Sequence, residues 1–133
     1  MRFTNGKKAK LTIKVDGQKL EQVSKFPYLG STLSWDGRCG DEIRKRVALA
    51  KEAFMKQREM MTKGLDKGIR KRLVKSLVWS VLLYGCETWT LRKEDAKRLE
   101  SFEMWLWRRL EKVSWVDRKT NVEVLEWLRR RGL

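Results

Sequence analysis

The hydrophobic pattern of the chain changes its period near residue 40, and this change limits the possible folds more than any other feature. Leu11, Ile13 and Val15 alternate with polar residues, which is the period of a half-buried β-strand. From Asp41 onward, apolar residues recur every three or four positions, as in an amphipathic α-helix. A chain of 133 residues is long enough for one core and short for two. We therefore expect one compact α+β unit that is mostly α-helical.

The first third of the chain predicts a small antiparallel β element over residues 9–33. Asp16-Gly17 has the sequence of a type I′ hairpin turn between the alternating run and "QKLEQV". A third strand is expected in "FPYLGSTLS", which begins at Phe26. Pro27 lacks the backbone N–H that a central strand needs, so we place this strand at a sheet edge or beside a bulge. Three short strands make a thin sheet, which needs a helix or another domain across one face.

Three or four helices are expected after the β element. The apolar stripe of the first consists of Ile43, Val47, Ala50, Phe54 and Met61, and that of the third of Leu99, Phe102, Leu106, Leu110 and Val113. The second helix should begin after Asp66, and its stripe should be Ile69, Leu73, Leu77, Ser80 and Tyr84. Its last turns should be buried on all sides. The fourth should follow a Thr120/Glu123 capping box, with Val122, Leu125 and Leu128 on its inner face. The chain thus divides into a β region, 1–38, and a helical region, 39–133.

Charge and the scarce residue types limit the possible functions. The chain has 32 Lys and Arg against 17 Asp and Glu, and its formal net charge of +15 predicts a polyanionic partner. Histidine is absent, and Cys39 and Cys86 form no C-x-x-C pair. The acidic residues, Glu42 among them, lie singly among Lys and Arg, as in solvated ion pairs. No phosphate-binding glycine loop occurs. We therefore expect no catalytic residue, no metal site and no cofactor.

The apolar segments are short. The longest, "LVWSVLLYG", has nine residues, whereas a membrane span needs about 20. The N-terminal "MRFTNGKKAK" is basic but lacks the apolar core of a signal peptide. We expect an intracellular protein, nuclear or cytoplasmic, without a membrane partner.

Two surface features suggest binding. Basic residues off the apolar stripes of the first two helices could line one groove or ridge if those helices pack antiparallel. They are Arg44, Lys45, Lys51 and Lys56 in the first helix and Lys67, Arg70, Lys71 and Lys75 in the second. If Leu106 faces the core, Trp105 lies at the edge of its stripe and Trp107 well outside, so one of them should be exposed or cover another surface. A solvated basic face, and a protein interface at Trp105 and Trp107, are the alternatives to nucleic-acid binding.

Three separated blocks of sequence resemble the C-terminal part of the reverse transcriptase of non-LTR (LINE-type) retrotransposons. The blocks are "KFPYLGSTLSWDGRCGDEIRKRVALAKEAF" (25–54), "LVKSLVWSVLLYGCETWTL" (73–91) and "SWVDRKTNVEVL" (114–125). They occur in the family's order with similar spacing, and the resemblance runs from about Arg2 to about Leu128. It implies the end of a palm domain followed by a three- to four-helix, thumb-like bundle.

The resemblance implies roles for particular residues. Phe26, Tyr28, Leu29 and Gly30 match the family's primer grip, a strand and turn that hold the end of the primer strand near the active site. The family usually has a polar or basic residue where this chain has Pro27. The basic helices would form a thumb along the minor groove of the template and primer. Contact would then be with phosphates and sugars of an RNA/DNA hybrid or duplex, without base-specific readout.

The catalytic aspartates of that family lie upstream of the matched region, and no aromatic-Ala-Asp-Asp motif occurs in this chain. The resemblance therefore implies nucleic-acid binding without polymerase activity. Met1 falls at a position inside the family's palm, which suggests a truncated copy or a separately expressed remnant that has lost its palm and fingers partners. The alternative is a protein-interaction module or an inert relic, which binds another protein or itself through exposed Trp and apolar surface.

Overall fold

A computed structural model describes residues 10–130 of the chain. In this range two β-hairpins precede four helices, which confirms the predicted fold class, α+β and mostly α. The strands are β1 (Lys14–Val15), β2 (Gln18–Lys19), β3 (Lys25–Tyr28) and β4 (Ser31–Ser34). The helical segments are α1 (Gly40–Thr62), α2 (Lys67–Leu73), a π-helical segment (Val74–Trp79), α3 (Ser80–Leu82), α4 (Lys93–Leu110) and α5 (Asn121–Arg130).

The second of the four helices is continuous over 67–82, where α2, the π-helical segment and α3 follow one another without a break. Of the predicted β and helical regions, 1–38 and 39–133, residues 1–9 and 131–133 lie outside the described residues. The beginning of the family resemblance at Arg2 lies there too.

The first predicted hairpin is confirmed. β1 pairs with β2 in antiparallel register, and Asp16 and Gly17 connect them. Both turn residues have positive φ, 48° and 79°, as a type I′ turn requires.

The prediction of a single strand in "FPYLGSTLS", and with it a three-stranded sheet, is wrong. This segment folds back on itself, so that β3 pairs with β4 in a second two-stranded hairpin. Leu29 and Gly30 form its turn with φ of 48° and 78°. Pro27 stands opposite Thr32, whose N–H points out of the hairpin toward Glu42. The pair therefore needs no ladder hydrogen bond, and the predicted edge position of the proline is confirmed.

α1 contributes one side of the main core. All five residues of its predicted stripe are buried, and they pack against buried residues of the second helix and of α4. Those partners are Val74, Val78, Leu82, Phe102, Leu106 and Leu110. Full burial of each large apolar side chain contributes about 1.5–3 kcal/mol relative to its exposure to water.

α2 begins at the predicted N-cap, since the Asp66 side chain accepts a hydrogen bond from the Gly68 N–H at 2.9 Å. Gly64, with φ of 54°, reverses the chain between α1 and α2. This four-residue connection, 63–66, places α1 and the second helix side by side.

The predicted stripe of the second helix is confirmed for Leu73 and Leu77, which pack against the main core, and wrong for Ile69, Ser80 and Tyr84, which are exposed. Val74, Val78 and Leu82 are fully buried, whereas Ile69 and Tyr84 are about half exposed. Burial on all sides of the last turns is also wrong, because the residues that follow α3 are exposed. The π-helical segment explains the difference. Its hydrogen bonds join residues five apart, which widens each turn and aligns residues four apart on one face.

α5 packs on the other side of α4 and forms a smaller cluster. Met104 of α4 is buried there with Val124 and Leu128 of α5. The capping box before α5 is confirmed, since the Glu123 carboxylate accepts from both the N–H and the hydroxyl of Thr120 at 2.6 and 2.8 Å. Two of the three predicted inner residues, Val122 and Leu125, are exposed, because the helix presents Val124 and Leu128 to α4 instead.

Candidate nucleic-acid interface

A buried ion pair joins the second hairpin to α1. Glu42 and Arg46 lie one turn apart on α1, with Arg46 Nε 2.8 Å from Glu42 Oε1. The other carboxylate oxygen accepts the Thr32 N–H at 2.9 Å, and Arg46 Nη2 donates to the Gly30 carbonyl at 2.6 Å. The two side chains are only 2% and 9% exposed, so the expectation that Glu42 is solvated is wrong. The pair connects the second turn residue and the beginning of β4 to the helix.

Tyr84, just beyond the second helix, lies against the same turn. Its ring centroid is 4.7 Å from the Arg46 guanidinium carbon, a distance typical of a cation–π contact. A Cβ added at Gly30 would lie 3.4 Å from Tyr84 Cε1. The turn is therefore held between the beginning of α1 and the end of the second helix, and these two helices are antiparallel.

The four residues predicted as a primer grip lie together at the end of this hairpin. Phe26 and Tyr28 are on β3 and about half exposed, and Leu29 at the tip is 77% exposed. Leu29 also has a positive φ, which is costly for a residue with a branched apolar side chain. The structure thus gives the tip a fixed position and leaves its apolar side chains open to another molecule.

Several of the predicted phosphate-binding cations form ion pairs. Arg44 pairs with Asp41 at 3.0 Å, and Lys56 with Glu52 at 2.9 Å. The hydrogen bond between Lys56 and Glu52 lowers the pKa of the glutamate and raises the pKa of the lysine. The pKa of Asp41 is lowered chiefly by a hydrogen bond from the Lys25 ammonium group.

Arg70 has a structural partner as well. It is half-buried, with Nη1 3.3 Å from Glu111 Oε1 and Nε donating to the Leu65 carbonyl at 3.1 Å. Because Glu111 follows α4, these contacts join the second helix to the end of α4. Arg70 is therefore less available for phosphate contact than its position in the sequence suggests.

The predicted cations do not form one continuous face. Lys45 and Lys56 are three turns apart on one side of α1, whereas Arg44 and Lys51 lie roughly 100° away around the helix. On the second helix, Lys67 and Lys75 are exposed and Lys71 is half-buried. None of Lys45, Lys67 and Lys75 is in an ion pair with a carboxylate of residues 10–130.

A second group of cations lies over indole rings, from α1 across α4 to the turn before α5. The Lys51 and Arg109 side chains are 5.3 and 4.7 Å from the Trp105 ring centroid, and Arg108 is 5.6 Å from that of Trp115. Lys119 lies 5.2 Å from the centroid of Trp127. We call this the cation–indole surface and define it by Lys51, Trp105, Arg108, Arg109, Trp115 and Lys119. The sequence prediction included only Lys51 and Trp105 of these six among the candidate site residues.

Trp105 and Trp107 contact different parts of the bundle. Trp105 packs against Phe54 and Phe102, with ring centroids 5.6 and 5.9 Å away. Trp107 packs between the main core and the α5 cluster, and its Nε1–H donates to Glu103 at 3.3 Å. Trp107 therefore covers another surface, which was one of the two predicted outcomes.

The most exposed tryptophan is Trp115, which the sequence prediction did not include. It is 88% exposed and lies in the short 3-10 turn Trp115–Asp117. Ser114 Oγ accepts the Val116 N–H at 3.3 Å, and the Ser114 N–H donates to Asp117 at 2.8 Å. The Ser-x-x-Asp spacing in "SWVD" is the sequence signal that predicts this turn, since it is the pattern of a capping box.

Two further findings concern metals and membranes. Residues 10–130 bring together no group of three or more Cys, Asp or Glu side chains that could bind a metal ion. No helix in the same part of the chain has the length and apolar character that a bilayer crossing needs.

Comparison with known proteins relates part of the chain to a transposon-derived protein. The chain is 33% identical over 92 residues to an uncharacterized transposon-derived protein of Caenorhabditis elegans. The match covers 69% of this chain and 33% of the relative, so the chain spans about a third of the length of the curated protein it matches. No protein-family model and no solved structure matches the chain. The comparisons thus relate the chain to a transposon-derived protein.

Proposed function

We propose that this chain is a nucleic-acid-binding module that resembles the thumb of a retrotransposon reverse transcriptase. It would contact the backbone of an RNA/DNA hybrid or duplex without reading its sequence. The similarity to a transposon-derived protein supports this origin, together with the three sequence blocks described above. Because the chain has no aromatic-Ala-Asp-Asp motif, we propose that it has no polymerase activity of its own.

The observation that carries the proposal is the number of exposed cations without a carboxylate partner. Lys45, Lys67 and Lys75 are of this kind in residues 10–130, and so are Lys51, Arg109 and Lys119 of the cation–indole surface. Neutralising phosphates with such groups releases condensed counterions, which drives binding and makes it salt-dependent. The tip of the second hairpin, with Tyr28 and Leu29, would then contact the end of a strand.

The test is a titration of a fluorescently labelled RNA/DNA hybrid of about 16 base pairs, which is enough to span a module of this size. Anisotropy is recorded from about 50 to 200 mM salt, where log affinity should fall linearly with log salt by about 0.9 for each phosphate contacted. A flat dependence, or no binding at the lowest salt, would overturn the proposal.

Charge-neutral variants locate the contact. Lys67→Gln, Lys71→Gln and Lys75→Gln together remove three cations on consecutive turns of the second helix. We expect weaker binding and a slope reduced by about 1 to 3. Arg70 stays in place because its pair with Glu111 is structural. The matched control replaces Lys10, Lys14 and Lys19 by Gln, which removes the same charge from exposed positions in and beside the first hairpin and should leave the slope nearly unchanged.

Self-association or binding to another protein is the second candidate, and the first hairpin favours it. Ile13, Val15 and Leu20 are each about half exposed there, and among residues 10–130 the strands β1 and β2 pair only with each other. Size-exclusion chromatography with light scattering tests this candidate. A dimer that Val15→Lys converts to a monomer, with no salt-dependent binding of the hybrid, would favour it over the first.

A further inference from the structure

We infer that Trp115 is a stacking platform for an unpaired base, and that the neighbouring cations of the cation–indole surface hold the phosphates of the same single strand. The inference rests on the proposed function in taking the partner to be a nucleic acid. It goes further in naming a single-stranded segment as the ligand and a site centred on Trp115, which shares only Lys51 with the helix faces predicted to contact a duplex.

The exposure of Trp115 is the first observation. Trp115 is 88% exposed to solvent. Its indole ring is large and apolar, so this exposure forgoes the free energy that burial of the ring would give. The turn that carries the ring is nevertheless well defined. Hydrogen bonds between Ser114, Val116 and Asp117 fix the turn, and the Arg118 N–H donates to the Trp115 carbonyl at 3.2 Å.

The position of Arg108 is the second observation. Its guanidinium carbon lies 5.6 Å from the Trp115 ring centroid, while Nη2 donates to the Lys119 carbonyl at 2.7 Å and to Asn121 Oδ1 at 3.0 Å. These acceptors are neutral, so they orient the guanidinium without cancelling its charge. An aromatic face beside an oriented cation is the arrangement that binds a base and its phosphate.

The charge of the surrounding surface is the third observation. None of its four cations forms an ion pair with a carboxylate in the described part of the chain. Trp105 precedes Arg108 and Arg109 by three and four residues, so these side chains are neighbours on the surface of α4. The cations therefore continue from Trp115 toward Lys51 on α1 as a positively charged track.

These features favour a single strand over a duplex. In a duplex the faces of the bases are stacked on one another and cannot meet a side chain that projects from a protein surface. In a single strand every base has an accessible face, and stacking on an aromatic side chain does not depend on sequence. Cations without carboxylate partners beside the ring favour a polyanion over a protein partner.

The experiment uses the full chain and three labelled probes of matched length, about 16 residues. They are oligo(dT), an abasic oligomer with the same sugar-phosphate backbone, and the RNA/DNA hybrid. The variants are Trp115→Ala and, as the matched control, Val116→Ala. Val116 is in the same turn, apolar and 86% exposed, but it has no ring. Thermal unfolding followed by circular dichroism establishes that both variants are folded.

We expect Trp115→Ala to weaken oligo(dT) binding by about fivefold to a hundredfold, the range that loss of one stacked base gives. Binding of the abasic oligomer should change less than about twofold, and the salt slope should stay the same, because the cations are intact. Val116→Ala should change neither. Unchanged oligo(dT) binding by Trp115→Ala would overturn the inference, and so would an equal loss on oligo(dT) and the abasic probe. A dimer broken by Trp115→Ala, with no binding of oligo(dT), would also overturn it in favour of self-association.

The hybrid separates this inference from the proposed function. If the hybrid binds with a steep salt slope while Trp115→Ala has no effect on oligo(dT), the inference fails and the proposed function stands. If oligo(dT) binds through Trp115 and the hybrid does not bind, the proposed function fails and the single-strand site stands.

Discussion

Replacement of Arg46 by Met should separate the docking of the second hairpin from the folding of the bundle. Met keeps most of the aliphatic length of arginine and suits a helix, so the change removes the charge and the hydrogen bonds with little effect on helix propensity. It leaves the Glu42 carboxylate, 2% exposed, without its counter-charge. It also removes the donor to the Gly30 carbonyl and the cation that contacts Tyr84.

The size of the effect follows from the burial of the pair. Loss of one partner of a buried ion pair costs about 3–5 kcal/mol, because the other charge remains out of water. Here the carboxylate keeps the Thr32 N–H, and movement of the hairpin can bring water to it. We therefore expect the lower end of the range, about 3 kcal/mol in the free energy of unfolding. The double variant Glu42→Leu with Arg46→Met removes both charges and should cost only about 1–2 kcal/mol, chiefly for the lost hydrogen bonds.

Two measurements report on the two events. Urea unfolding followed by circular dichroism gives the stability of the helices, and amide hydrogen exchange of Thr32 gives the docking of the hairpin. In the double variant the Thr32 amide should exchange fast, because its acceptor on Glu42 is gone, although the helices are more stable than in Arg46→Met alone. The matched control is Lys56→Met on the same helix, which breaks an ion pair of the same spacing that is exposed to solvent and should leave the stability nearly unchanged.

A loss of less than about 1 kcal/mol for Arg46→Met, the range of a solvent-exposed pair, would contradict the expected cost of a buried, unpaired carboxylate. A double variant less stable than both single variants would refute it equally, because removal of the second charge should relieve the first.

Three further outcomes are expected. Phe54→Ala should lower the free energy of unfolding by about 3–5 kcal/mol in urea titrations, because Phe54 is fully buried against Trp105; a loss below about 1 kcal/mol would contradict the packing. Leu29→Asn should stabilise the second hairpin by about 1 kcal/mol, since Asn-Gly suits a type I′ turn, and slower amide exchange of Leu33 would show it. Hydrogen bonds from Thr120 lower the pKa of Glu123. The stability that the ionised Glu123 cap adds is therefore complete above the ordinary pKa of a glutamate and is lost as pH falls through the lowered pKa. The stability difference between the parent and Glu123→Gln should therefore shrink below about pH 5, and a constant difference would contradict this.

The helices were predictable where one regular period applies. α1 is α-helical throughout, so apolar spacing alone identified every buried residue of its stripe. The stripe of the second helix was predicted only in part because the helix changes period at Val74. Two apolar rows, Leu73/Leu77 and Val74/Val78/Leu82, run side by side in the sequence, and the pattern alone does not tell which row lies deepest in the core. The reversal of the chain at Leu29-Gly30 was missed for a related reason. Leucine rarely adopts positive φ, so the pair does not carry the usual signature of a type I′ turn.

The candidate site was predictable as a list of residue types and only partly as an arrangement. Basic residues off the apolar stripes could be named from the sequence, but their partners could not. Arg70 pairs with a residue 41 positions away, and Arg46 bonds to a carbonyl 16 positions away, and such contacts depend on how the elements pack. Trp115 was missed because its exposure follows from a turn of only three residues.

The π-helical segment has a consequence for the spacing of the site. A single π turn accommodates one residue more than an α-helix of the same rise would hold, and the helix beyond it keeps its orientation. If the segment relaxed to α-helical spacing with all its residues, everything after it would rotate by about 100° and advance by about 1.5 Å. Tyr84 would then leave the Arg46 guanidinium and the Gly30 turn. Deletion of one residue between Val74 and Trp79 would instead straighten the helix and leave Tyr84 facing the hairpin. The packing of Tyr84 against the hairpin turn thus depends on the number of residues in the helix that precedes it.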